Sequence, residues 1–321
     1  MSEVSILGAG AWGIALAIQA VRAGNHVTLW ARRGAEALER SRVSPRLPGF
    51  ALPKEVRVTG DPADVHGMTL AAVPVQSLRE VLALPWRACS LTLCAKGIET
   101  GTLLLPLEIA GEVRRDTMTA VLTGPNFAHE VASGLPAAAI VSGFNQGMRE
   151  DVAARLSTPS FRLYRHDDPI GAQLGGAAKN VIAIAAGAVI GAGLGENARA
   201  ALITRGLAEL ARLTAAQGGR AETVMGLSGL GDLFLTCTGL ASRNFSLGLA
   251  LGRGQTLAEI LSGRTAVTEG VTTAPALVAR ARLVDGGVDM PICEAVVALL
   301  SGLVTLQDTI TALLARPRRD E

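Results

Sequence analysis

Lysine is nearly absent from this chain. Its 30 basic residues comprise Lys54, Lys96 and Lys179 and 27 arginines. Base composition alone could produce such a bias. Even so, an amine can give up its proton whereas a guanidinium in practice cannot, so each remaining lysine is a candidate for proton transfer or for a compact point charge. Cysteine and histidine are scarce too, at four each. Cys89, Cys94, Cys237 and Cys293 form no CxxC pair and no HExxH occurs, so neither structural zinc nor zinc chemistry is expected. The thiols read as reduced, buried residues. Charged residues make up only 18% of the chain, the net charge is +2, and no basic block precedes the short Arg316–Arg319 tail, so nucleic acid is not an expected partner. There is no GxxxxGK(S/T) phosphate loop, no GxSxG nucleophile elbow and no evident histidine-centred dyad.

What the chain does have is apolar bulk. Its 321 residues are 49% hydrophobic, enough for two domains with substantial cores. Val4–Val21 carries no charge over 18 residues, yet it lacks a basic flank and is broken early by Gly8, Gly10 and Gly13. A buried strand, a tight turn and a helix explain it better than a membrane span. The uncharged run Val181–Gly195 is too short and too rich in glycine and alanine to face lipid. No membrane span is expected.

The first half alternates strand-like and helix-like segments. Strands are expected at Val4–Leu7, His26–Trp30, Thr69–Val73, Ser90–Cys94, Thr119–Leu122 and Ala138–Val141. Between the first two, Ile14, Ala17, Ile18 and Val21 share one helical face, and Gly24 ends it. Such alternation implies a mostly parallel sheet covered on both faces. Past Asp168-Pro169 the pattern turns to alanine- and leucine-rich helices; one carries the stripe Ile292, Ala295, Val296, Leu299 and Leu303, with Pro291 in its first turn. The expected architecture is an α/β Rossmann-like domain over residues 1–167, followed by an all-α domain over 168–321.

Gly8-Ala9-Gly10-Ala11-Trp12-Gly13 matches GxGxxG in the context that gives the pattern meaning, after an apolar strand and at the start of a helix. Gly8 permits the turn, Gly10 lets a pyrophosphate approach the backbone, and Gly13 allows close helix–sheet packing; the helix N-terminus then faces the phosphates. After the second strand, where an acid would bind the ribose diol of NAD, the sequence offers Arg32 and Arg33 instead. One of them could pair with a 2′-phosphate, which makes NADP an accepted cofactor and leaves its preference over NAD open; alternatively both are solvated or lie on adenine.

Lys179-Asn180 sits within an apolar, small-residue helix, where a charge is costly unless partnered or functional. Desolvation there favours the neutral amine and so a usable base, and Gly175 and Gly176 clear space for a ligand. Asp232, among glycines and leucines, is placed to pair with Lys179 or a substrate hydroxyl, and Thr236 lies one helical turn further on. Ser242-Arg243-Asn244 combines a guanidinium fork for phosphate with neutral donors, or is a plain surface turn. Lys96 and the run from Gly124 to Ala128 come directly after strands, at the ends where open α/β sheets bind ligands.

In order along the chain, the motifs GAGAWG from Gly8, LPGFALP from Leu47, CAKG from Cys94, GPNFAHE from Gly124, QLGGAAKNVIAIAAG from Gln173, NARAALITRGLAE from Asn197, GLSGLGDLFLTCT from Gly226, SRN from Ser242 and VTEG from Val267 resemble the bacterial NAD(P)-dependent sn-glycerol-3-phosphate dehydrogenases. The resemblance implies interconversion of sn-glycerol 3-phosphate and dihydroxyacetone phosphate for glycerophospholipid synthesis, by a cytoplasmic homodimer. It implies that Lys179 is the proton acceptor, with Asn180 and Thr236 at further active-site positions. It places Lys96, Gly124, Asn126, Asp232, Ser242, Arg243 and Asn244 on the substrate. It places Ala11, Trp12, Arg32, Arg33, Lys96, Ala128, Arg243, Val267 and Glu269 on the cofactor. Ala11 and Asn126 depart from the serine or threonine common at their positions. Two other readings remain open: a related hydroxy-acid or ketopantoate-type dehydrogenase, with Arg243 holding a carboxylate, and a non-catalytic dinucleotide sensor.

Overall fold

Leucine- and valine-rich runs with no polar face are stable as strands only when both faces are covered, and such runs form the middle of a sheet. The computed structural model describes residues 2–263 and 268–315; Val267 and the Arg316–Arg319 tail lie outside the described residues. Among the described residues, eight strands form one sheet: β1 Glu3–Leu7, β2 His26–Trp30, β3 Val56–Thr59, β4 Met68–Ala71, β5 Ser90–Leu93, β6 Met118–Thr123, β7 Ala137–Ser142 and β8 Phe161–His166. Their order is β3-β2-β1-β4-β5-β6-β7-β8, and every pairing is parallel except β6 with β7. All six expected strands are present. The two unforeseen ones, β3 and β8, are the edges of the sheet. They carry Arg57, Arg162, Tyr164 and Arg165, so they lack the apolar continuity that marks a central strand.

Helices α1 Ala11–Arg22, α2 Ala35–Ser41, α3 Val75–Leu82, α4 Pro106–Val113, α5 Ala128–Ser133 and α6 Gln146–Leu156 accompany the sheet. The remainder is helical: α7 Pro169–Gly191, α8 Gly195–Ala216, α9 Asp232–Cys237, α10 Arg243–Gly252, α11 Leu257–Ser262, α12 Glu269–Arg282, α13 Pro291–Ser301 and α14 Leu306–Leu314. By packing, the chain divides into two units, residues 1–96 with 104–173, and residues 97–103 with 174–321.

The core of the first unit joins Val4, Ile6, Val27, Leu29 and Leu70 of the sheet to Ile14, Ala17 and Ile18 of α1. Gly24, at φ 88°, lies just past the end of α1. In the second unit α7 is the central element. It is the one helix among the described residues long and apolar enough to cross a membrane, and 89% of its most apolar stretch is buried inside the protein. Its small residues allow another helix to approach it closely. A Cβ on Gly187 would lie 2.1 Å from the Phe245 carbonyl oxygen, and one on Gly248 would lie 1.9 Å from that of Ile184. Gly191 and Gly252 are equally tight, at 2.2 Å and 2.3 Å from the opposing carbonyls. Two glycine pairs, each spaced four apart, therefore lock α10 onto α7 backbone to backbone.

Two sequence expectations need correction. Leu303 does not continue the α13 stripe: the helix stops at Gly302 in the left-handed region, φ 69°, and Leu303 is 87% exposed. Cys89 is exposed, whereas the other three thiols are buried.

One buried carboxylate holds a helix end in place. Glu209 of α8, 2% exposed, accepts hydrogen bonds from the backbone N–H groups of Ile292 at 2.6 Å and Cys293 at 3.3 Å, in the first turn of α13. Burial pushes its carboxyl up to about 7 against the pull of those donors. The folded chain thus keeps a proton that the unfolded chain has already released, and stability falls as pH rises from about 4.5 to about 7. Between about pH 5 and about pH 8, wild-type protein should lose about 2–3 kcal/mol relative to Glu209→Gln in denaturant titrations. A difference that stays constant with pH would refute this account.

Candidate functional site

The glycine turn after β1 is built by steric exclusion. Gly8 has φ 109°, and a Cβ there would sit 2.7 Å from Val73 Cγ1 and 2.8 Å from the Ala72 oxygen. A Cβ on Gly13 would lie 1.8 Å from the Gly8 oxygen. Gly10 is different: no atom of the described residues lies within 4 Å of where its Cβ would be. Its bare face is open to a ligand. Beyond it α1 begins with Ala11 and Trp12, no side chain among the described residues caps it, and no acid sits in its first turn. Uncapped N–H groups and an uncompensated dipole fit a pyrophosphate.

The Gly8 N–H donates to the Trp30 oxygen at 3.0 Å, which fixes the end of β2 beside this turn. Arg32 and Arg33 come next in the chain, both exposed. Arg32 is engaged: its Nη1 lies 2.9 Å from Glu80 Oε2 of α3. This carboxylate partner, 48 residues away, has no signature in the sequence.

Further along the same ends of the strands, Lys96 lies just past β5 and donates to the Gly124 oxygen at 3.1 Å. Gly124 has φ 149°, and a Cβ would press to 2.9 Å from Ala139 Cα, so no larger residue fits. Asn126 donates through Nδ2 to the Ala138 oxygen at 3.2 Å, while its buried Oδ1 has no partner among the described residues. An orphaned acceptor of this kind is suited to a ligand donor. Ala128 opens α5 just beyond, partly buried.

The second unit brings together predicted residues around α7. Lys179 Nζ donates to Asp232 Oδ1 at 2.5 Å and to Thr236 Oγ1 at 3.2 Å. Thr236 Oγ1 in turn donates to the Asp232 carbonyl at 2.6 Å. Lys179 is 9% exposed, Thr236 5% and Asp232 0%. Asp232 is the first residue of α9, delivered by the π-helical turn Leu227–Gly231, and Thr236 is one α-helical turn later. π-Turns often mark functional sites because the extra residue re-aims the side chains beyond it. Burial pushes the neighbouring Cys237 thiol up to about 12, so it remains neutral and is no rival as a base.

Gly175 serves a different purpose from the one expected. A Cβ there would meet the Ser228 carbonyl at 2.5 Å, so the missing side chain admits the π-turn of the protein itself, not a ligand.

A chain of amides continues from Asn180. The Gly270 N–H donates to Asn244 Oδ1 at 2.9 Å, Asn244 Nδ2 donates to Asn180 Oδ1 at 2.8 Å, and Asn180 Nδ2 donates to Glu269 Oε2 at 3.2 Å. A backbone N–H can only donate, so it fixes the orientation of both side-chain amides and aims the last donor at Glu269. Ser242 caps α10, accepting from the Phe245 N–H at 3.2 Å, and Arg243 is exposed at the first position of that helix. Val267 lies outside the described residues.

Family models described as the NAD-dependent glycerol-3-phosphate dehydrogenase N-terminus and C-terminus match residues 3–149 and 168–311. A curated relative from Acidiphilium cryptum, named glycerol-3-phosphate dehydrogenase (NAD(P)+), is 56% identical over 99% of this chain and 98% of its own. One of the same name from Gluconobacter oxydans is 50% identical over 98% and 97%. A solved structure of glycerol-3-phosphate dehydrogenase from Coxiella burnetii superposes with a TM-score of 0.91 at 35% identity, covering 98% of this chain and 99% of that one.

The two glycines flanking Ala11 and Trp12 should respond differently to a methyl group. Gly10→Ala should fold with a stability loss below about 1 kcal/mol and lose at least about tenfold in dinucleotide affinity. Gly13→Ala should destabilise the chain by about 1–3 kcal/mol or more. Thermal unfolding and calorimetric titration with NAD(P) measure both, and equal unfolding midpoints for the two variants would refute the assignment.

Proposed function

The chain belongs to the NAD-dependent glycerol-3-phosphate dehydrogenase family, and on that premise we infer that it is an NAD(P)-dependent oxidoreductase interconverting sn-glycerol 3-phosphate and dihydroxyacetone phosphate. Lys179, paired with Asp232 and Thr236, is the observation that carries the chemical reading. A bound nicotinamide supplies the hydride chemistry at C2. The residues of the chain handle everything else.

For alcohol oxidation, Lys179 receives the proton of the C2 hydroxyl. The ammonium that forms is met by the Asp232 carboxylate at 2.5 Å, so the charge develops against a partner already in place. For ketone reduction the ammonium donates its proton to the carbonyl oxygen. Thr236 holds a second Nζ direction and so fixes how the amine is turned. Arg243 takes the phosphate with its planar fork. Ser242 and Asn244 place the start of α10, and Asn244 keeps one amide hydrogen beyond its bond to Asn180. In this reading Lys96, Gly124 and Asn126 complete the substrate contacts. Gly8, Gly10, Ala11, Trp12, Gly13, Arg32, Arg33, Ala128 and Glu269 hold the dinucleotide. The protein acts in the cytoplasm as a homodimer that feeds glycerophospholipid synthesis, as the family resemblance implies.

Lys179→Ala should bind NADPH normally by fluorescence titration while turnover with dihydroxyacetone phosphate falls by about 10²–10⁴-fold. Turnover within a few-fold of wild type would remove Lys179 from the mechanism. Arg243→Ala should raise KM for dihydroxyacetone phosphate by about 10–100-fold, because one charge-assisted contact is worth that much, and leave unphosphorylated dihydroxyacetone unaffected. A parallel loss on both substrates would refute the phosphate role.

A further inference from the structure

The end of β2 carries no acid of its own, yet an acid is present there. Glu80, from the last turn of α3, reaches Arg32 with a 2.9 Å ion pair. Arg32 lies two residues after Trp30, whose carbonyl is tied to the Gly8 N–H, and in a glycine-turn fold this is where the adenosine ribose is read. Arg33, beside it, makes no ion pair among the described residues. The two guanidiniums are therefore not equivalent: one is already neutralised by a carboxylate and the other is not.

We propose that Glu80 is a determinant of cofactor specificity, acting by competing with the 2′-phosphate of NADP for Arg32. The proposal rests on the dinucleotide reading of the glycine turn. A 2′-phosphate can engage Arg32 only by displacing Glu80 or by tolerating its negative charge nearby. A 2′-hydroxyl meets no such cost and leaves the pair intact. Glu80 thus supplies from α3 the bias against phosphate that an acid at the end of β2 would give directly, while Arg33 keeps NADP acceptable.

Exposure sets the size of the effect. Arg32 and Glu80 side chains are 49% and 70% accessible, and exposed pairs of this kind are weak and sensitive to salt. The competition therefore shifts preference by about three- to fivefold rather than by decades.

The test is calorimetric titration of the full chain with NAD+ and with NADP+, which differ only in that phosphate, in the absence of substrate. Four proteins are compared: wild type, Glu80→Gln, Arg32→Gln and the double variant. Both positions are exposed, so folding is not at stake. Glu80→Gln should tighten NADP+ by about three- to fivefold and leave NAD+ within about twofold. The gain should shrink at higher salt and vanish in the Arg32→Gln background. An equal change for both dinucleotides, no change for either, or a gain that survives Arg32→Gln would overturn the role of Glu80. Failure of wild type to bind either dinucleotide would overturn the dinucleotide reading itself, and this proposal with it.

Discussion

A buried lysine amine beside a buried aspartate is the constraint around which the helical unit is organised. Removing either charge from water costs several kcal/mol, and only close geometry with additional hydrogen bonds offsets that cost. Lys179 and Asp232 meet those terms at 2.5 Å, with Thr236 satisfying a second Nζ hydrogen. A long alkyl chain could have carried the amine to solvent. Instead Val181, Ile182, Ala183 and Ile184, which follow it on α7, are all 0% exposed, so the helix that bears it is covered on every side. The placement of Asp232 depends in turn on the π-turn, and the π-turn depends on Gly175, which admits the Ser228 carbonyl. The Lys179–Asp232 pair thus rests on a run of backbone contacts.

The legible parts of the sequence were those whose signal is local. The glycine turn could be read because Gly8, Gly10 and Gly13 together meet one local steric demand, and the fold places each glycine where a side chain would collide or would fill the open face. Lys179 and Asp232 stood out because a charge among alanines and glycines needs a reason. Thr236 could be read from helical spacing. The central strands were visible through apolar continuity, whereas β3 and β8 were hidden because edge strands share their surface with water and admit arginine. Leu303 fitted a helical stripe, but Gly302 ended the helix first.

What the sequence hid was partnership at a distance. Nothing near Arg32 announces Glu80, and nothing near Pro291 announces that Glu209 will cap its helix from another element. In the sequence Gly175 suggests clearance for a ligand, because composition reveals missing bulk without revealing what fills the space. The amide chain from Gly270 to Glu269 is likewise invisible, since its direction is imposed by a single backbone donor far along the chain from Asn180. In each case the missing information is which elements become neighbours.

The glycine crossing of α7 and α10 has a consequence for how this protein can change over time. Because the two backbones meet through Gly187, Gly191, Gly248 and Gly252, the axis carrying Ser242, Arg243 and Asn244 cannot slide or tilt without a carbonyl collision. If the first turn of α10 receives the substrate's anionic group as proposed, a change of selectivity has to arise by side-chain exchange there, at exposed Arg243 first, not by repositioning the rod beneath it. The crossing makes that turn a replaceable fitting on a fixed mount, so divergence among descendants should accumulate there and stay rare at the four glycines.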